Sequence, residues 1–280
     1  MSILAYFNYP IFVRALLASI LAGGILSLVG VAIVVLNLTT IRFALMHIAL
    51  LGASVAIILS FSPVGGAMIA IACGAWLLGP IADRLKIDTA LGGALFMTGS
   101  LALAFFLFYQ AGIPAMDAFD VFTGNILALT KADIYSLAIV AVVVLMLIIV
   151  FYREIQLMLY NSELAETLGI KSKFVRNTIL LVCGLSLGVA MRLVGALLVD
   201  AIILLPALGA LQIGTGLTSV LVATSVLGLF STVGGLLLAL KFNWPLGVTI
   251  TLTGVLVLGI VTIVKSIINK VQIHNRRDAK

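Results

Sequence analysis

Arg192–Gln212, RLVGALLVDAIILLPALGALQ, stays apolar for long enough to cross a bilayer. About 20 residues rising ~1.5 Å each carry a helix through the hydrocarbon. Read as one span, the stretch has a single acid, Asp200, near its middle, with Pro206 further on. A carboxylate at the centre of a spanning helix costs roughly 2.5–3.5 kcal/mol on insertion scales. Asp200 is therefore expected to face other helices, water or a cation rather than lipid. Pro206 has no backbone N–H and its ring crowds the preceding turn, which predicts a kink or a freed carbonyl near Ile202. An acid beside a loosened turn offers oxygen ligands. The same acid bonded to a neighbouring helix would only hold a bundle together, and both readings stand at this point.

Composition extends the conclusion to the whole chain. Hydrophobic residues make up 63% of it and charged residues 9%, against about 45–50% and about 25% in soluble domains. Such a chain cannot cover itself with a polar surface, so its solvent is lipid. Spanning barrels read as ~10-residue alternating segments, whereas the apolar runs here are long and unbroken. The expectation is an all-α integral membrane protein, a polytopic bundle of eight to nine helices forming a single transmembrane domain over residues 1–280. Cys73 and Cys183 lie inside apolar runs and read as packing residues. The net charge of +6 sits in loops and tail, so it calls for the positive-inside rule, not for nucleic acid.

Residues 1–10 lack the basic start and cleavage site of a signal peptide. Spans are expected at about 11–36, 41–61, 64–82, 89–109, 134–152, 177–191, 192–212, 217–240 and 245–268. The span ending at Met191 is short and is expected either to stand alone or to join its successor as a bent pair. Phe122–Leu129, FTGNILAL, is too short to cross and reads as an interfacial or re-entrant helix. Gly23, Gly24 and Gly30 in the first span, and Ala49, Gly52, Ala53 and Ala56 in the second, mark places of close helix approach. Arg42, Arg84, Lys86, Arg153, Lys171, Lys173, Arg176 and the basic tail 270–280 fall on one side, which is then cytoplasmic. The cytoplasmic loop YREIQLMLYNSELAETLGIKSKFVRN (152–177) holds a short helix at about 162–169. Ser162 is its expected N-cap, Glu163 and Glu166 suit its first turn, and Gly169 its C-cap. A capped helix at the membrane surface is either a connector or a docking site for a soluble partner.

These segments carry a resemblance. In chain order, YPIFVRALLASILAGGILSLVGVAIVV, FTGNILALTKAD, YREIQLMLYNSELAETLGI, LVGALLVDAIILLPALGA and STVGGLLLALKFNWPLGVTI resemble the membrane subunit of ABC importers of the manganese/zinc/iron permease family. The resemblance runs from about Pro10 to Ile260. It implies a homodimeric permease in a prokaryotic cell membrane, with its path at or near the subunit interface. Its partners would be a separate ATPase below, a metal-binding protein above and membrane lipid. The cargo would be a divalent metal (Zn, Mn or Fe), with no cofactor bound stably. It also implies that Ser162, Glu163, Leu164, Ala165, Glu166 and Gly169 dock the ATPase. The chain itself has no G-x-x-x-x-G-K-[ST] loop and is not expected to be an enzyme.

The family's second span carries an Asp four residues before a His, which puts a carboxylate and an imidazole on one helix face. Here that register gives Phe43 for the Asp and His47 for the His. His47 and Asp200 are thus the candidate path residues. Together they offer nitrogen and oxygen to a borderline metal, or each makes an ordinary interhelical hydrogen bond. Other readings are an ABC permease for a different substrate, a proton-coupled secondary transporter using both residues as a relay, and a non-transporting anchor. No internal repeat supports the secondary transporter.

Overall fold

In the computed structural model, residues 6–36, 38–85, 89–113, 126–161, 165, 167–170, 172–195 and 199–278 are described. The regular structure of the described residues is all helical: α1 (Pro10–Leu21), a π-turn (Ala22–Leu26), α2 (Leu28–Val35), α3 (Thr39–Ile58), α4 (Pro63–Leu85), α5 (Thr89–Gln110), a 3-10 turn (Ile126–Ala128), α6 (Lys131–Val150), α7 (Tyr152–Tyr160), α8 (Ser172–Val194), α9 (Val199–Ile213), α10 (Leu217–Phe242) and α11 (Leu246–Asp278). Among the described residues, seven helices are long and apolar enough to cross a membrane, with α1, the π-turn and α2 acting as one. Two shorter apolar stretches, Gly65–Leu77 in α4 and Ala201–Ile213 in α9, complete a set of nine.

Arg192–Gln212 is not one span. Arg192–Val194 finish α8, Gly195 turns the chain with φ +83°, and a new helix starts at Val199. Glycine tolerates that left-handed backbone without a Cβ clash. Asp200 is therefore the second residue of α9, in its first turn and not mid-span. Pro206 sits within α9 without ending it. The expected short span 177–191 becomes the 23-residue α8, whose first turns absorb Lys173 and Arg176. The expected helix at 122–129 is, in its described part, a single 3-10 turn. Ile126 and Leu129 of that segment are buried, and Arg14 Nη1 donates to the Leu129 carbonyl at 2.7 Å. Thr130 and Asp133 then form a reciprocal capping box that starts α6.

The small-residue positions are consumed within the chain. Gly52 on α3 meets Gly66 and Ala70 on α4, and Gly30 meets Ile203 and Ala207 on α9. Gly23 meets Gly228 and Thr232 on α10. This last crossing sits at the π-turn, where Ser27 N–H reaches back to the Ala22 carbonyl at 3.1 Å. Hydroxyls stitch it: Thr232 Oγ1 donates to the Ser19 carbonyl at 2.8 Å and Ser225 Oγ to the Gly24 carbonyl at 2.7 Å. A Cβ at Gly23 would land on Thr232 Oγ1 and the Gly228 carbonyl, while one at Gly259 meets nothing within 4 Å. Gly23→Ala is therefore expected to destabilise the bundle by about 1–3 kcal/mol through overpacking. Thermal unfolding of the purified protein in detergent checks it, with Gly259→Ala, unchanged or slightly more stable, as the control.

Candidate translocation path and inner coupling turn

His47 lies on α3, whose inward face is packed and whose outward face carries Phe43, Val55 and Ile58, each more than a third exposed. Phe43 and His47 are one turn apart, so they share that outward face. The His47 ring is half-buried, and its Nδ1 is 2.7 Å from the Phe43 carbonyl oxygen. A carbonyl only accepts, so Nδ1 carries the proton and donates. In the neutral ring Nε2 then keeps its lone pair, the arrangement of a metal-ligating imidazole held by its other nitrogen.

The preceding residue, Arg42, was read from sequence as a cytoplasmic charge. It lies in the first turn of α3, at that helix's inner end, and is 2% exposed. Its Nη1 lies 3.8 Å from Met46 Sδ and its Cζ 4.2 Å from the Phe43 ring centroid. A guanidinium over a ring gains cation–π attraction. Arg42 thus fixes Phe43, which stands where the resembled family has an acid. Sequence reasoning missed this role because charge counting treats every Arg near a helix end as solvated.

His47 and Asp200 stand on helices with different main packing partners. α3 packs against α4, α5 and α8, while α9 packs against α2, α10 and α11. His47 stands about 12 Å above the inner end of α3, and Asp200 about 20 Å above that of α9. Among the described residues, no group of three or more His, Cys, Asp or Glu gathers to hold a metal. A cavity of about 300 Å³ at the inner end is lined by apolar residues, Gly216 and Gln156, and offers no charged ligand.

At the inner face, α7 is a helix that the sequence reading left as loop. It buries Ile155 and Met158 against the bundle, and Tyr152 shares a 2.6 Å hydrogen bond with Thr218 at the start of α10. Ser162, Glu163, Leu164 and Glu166 lie outside the described residues. The described residues on either side carry the marks of a helix start and a helix stop. Asn161 is extended (φ −162°, ψ 115°) and its carbonyl accepts from Ala165 N–H at 3.0 Å, which places the cap one residue before the expected Ser162. Gly169 has φ +84° and Ile170 N–H returns to the Ala165 carbonyl at 3.0 Å. That closing bond is the Schellman pattern expected of a glycine C-cap. Ala165 is fully buried, so the turn is anchored to the bundle.

A family profile described as "ABC 3 transport family" matches residues 8–265. The chain is 30% identical to an uncharacterized membrane protein of Cyanophora paradoxa, over 88% of this chain and 82% of that one. It is 26% identical to the manganese transport system membrane protein MntC of Listeria monocytogenes, over 89% of each. Among solved structures, PsaBC from Streptococcus pneumoniae in complex with Fab matches with a TM-score of 0.80 at 25% identity, covering 90% of this chain and 91% of that one.

Proposed function

Since the chain belongs to the ABC 3 transport family and is a permease subunit of an ABC importer, we propose that it passes a divalent transition metal between two copies of itself. The observation that supports this reading is the extent of the match, residues 8–265, which reaches into all seven candidate spans among the described residues. ATP hydrolysis belongs to a separate chain. The manganese relative argues for a transition-metal cargo, and imidazole nitrogen suits such metals.

The face carrying Phe43 and His47 is where the second copy sits in this reading. An ionisable ring on an outward face within the hydrocarbon is costly unless a partner or water covers it. Two copies facing one another there would bring two His47 rings to one path, which a single chain cannot do. Asp200 lies nearer the outer side and serves entry. A binding protein docks above and the ATPase below, on the turn that ends at Gly169.

Charge reversal at Glu163 and Glu166 tests the coupling assignment. Glu163→Lys with Glu166→Lys is expected to lower metal uptake at least roughly tenfold, as loss of ~1.4 kcal/mol of coupling would. Permease abundance and thermal stability should stay unchanged. Normal uptake and normal ATPase co-purification by the double variant would reduce this turn to a connector.

A further inference from the structure

α11 is 33 residues long, about 50 Å at 1.5 Å per residue, and a bilayer core needs only about 30 Å of it. Its register with neighbouring helices locates where it leaves the bundle. Gly235 on α10 lies against Ile250, and Gly254 lies near Ser231, so the two helices run antiparallel. That register places Leu217, the first residue of α10, level with roughly residue 268 of α11. On the other side, Gly209 of α9 lies against Leu258 and Val261, so Ile213 ends level with roughly residue 264. The inner end of the bundle therefore falls near Lys265–Ile268. Beyond it α11 continues as helix to Asp278, about ten further residues or ~15 Å.

This projection is basic and lies outside the region shared with the family. Residues 269–278 include Lys270, Arg276 and Arg277 against one acid, Asp278, while the family match stops at 265. The headgroup layer is only about 5–7 Å deep on each side. Continuing straight, the backbone at Arg276 and Arg277 stands about 12 Å past the bundle's inner end, beyond the headgroups. Lys265 and Lys270 lie at lipid level. The backbone level of the two arginines is the layer that a soluble subunit occupies.

We infer that the end of α11, residues 269–278, is a second docking arm for the ATPase subunit, meeting an acidic patch on it. The inference rests on the reading that a separate ATPase works beneath this chain. Its chemistry differs from that of the coupling turn: the turn offers Glu163 and Glu166, the arm offers cations. The contact is therefore electrostatic and salt-sensitive, with a screening length of about 10 Å at 0.1 M salt and about 3 Å at 1 M.

The test is binding of the ABC ATPase subunit of the same transport system to the full-length permease in neutral, lipid-free detergent. It is repeated for Arg276→Glu/Arg277→Glu and for a chain stopped after Ile268, at low and high salt. Loss of a few surface charge pairs is expected to weaken binding roughly fivefold or more at low salt, with the difference shrinking at high salt. The charge-reversed chain keeps its length, so a stability defect of the truncated one does not decide the result. Unchanged ATPase binding by both variants overturns the inference. So does a defect seen only in binding to vesicles containing anionic phosphatidylglycerol, which would make the arm a lipid anchor. If the unmodified chain captures no ATPase at all, the underlying reading fails first, and the inference with it.

Discussion

His47→Leu is expected to cost metal uptake at least the roughly 10–100-fold that loss of even an outer-shell partner costs a metal site. Leucine fills the space of the ring and keeps the outward face of α3 apolar, so insertion and packing should survive. What disappears is the Nε2 lone pair, set by the bond from Nδ1 to the Phe43 carbonyl. If two copies meet on this face, one substitution removes both imidazoles from the path at once. ATPase binding should persist, because His47 stands about 12 Å above the inner end of α3, while the proposed ATPase contact is at the inner face. Uptake of labelled manganese, zinc and iron into cells carrying the full complex, normalised to membrane abundance, reads the outcome. Normal uptake of all three would return His47 to an ordinary half-buried surface histidine.

Asp200→Asn should produce a loss of different form. Asparagine keeps the size and removes the charge, so packing around α9 is largely preserved. A carboxylate in the first turn of a helix is stabilised by the positive end of the helix dipole, by about 0.3–1 kcal/mol at exposed sites, and can remain an attractor for cations. In the proposed reading, its place toward the outer side makes it an entry group. The expected result is a roughly tenfold rise in the metal concentration needed for half-maximal uptake, with a smaller change in maximal rate, as steering to a charged mouth predicts. High ionic strength should narrow the gap between variant and unmodified chain. An equal effect at all salt concentrations, together with lost protein, would assign Asp200 to bundle packing.

Much of this was legible in the sequence. Long apolar runs define helices in lipid because no other spanning structure satisfies the backbone inside them. The same runs hide helix breaks. Gly195 turns the chain inside a stretch with no polar punctuation, so a backbone break looked like continuous helix and left Asp200 apparently mid-span. Gly169 was readable because its turn is bounded by polar residues and its φ of +84° is what glycine is chosen for. The small-residue stripes announced close approach but not the partner. Gly52 meets the chain's own α4 and Gly30 its own α9, so neither is left to make a dimer contact. α7 escaped notice because charges at Arg153 and Glu154 suggested loop, although Ile155 and Met158 already had helical spacing. Arg42 escaped because its burial depends on α3's neighbours, which no local pattern reveals.

Reconstitution measures ATP-driven passage of metal through this subunit directly. The permease and its ATPase are placed in liposomes with the binding protein outside, ATP inside and labelled manganese or zinc outside. Accumulation that requires ATP, is lost with His47→Leu and leaves basal ATP hydrolysis in place is the predicted result. Metal entry driven by a proton gradient without the ATPase, or ATP hydrolysis with no metal accumulated under any of these conditions, would contradict it.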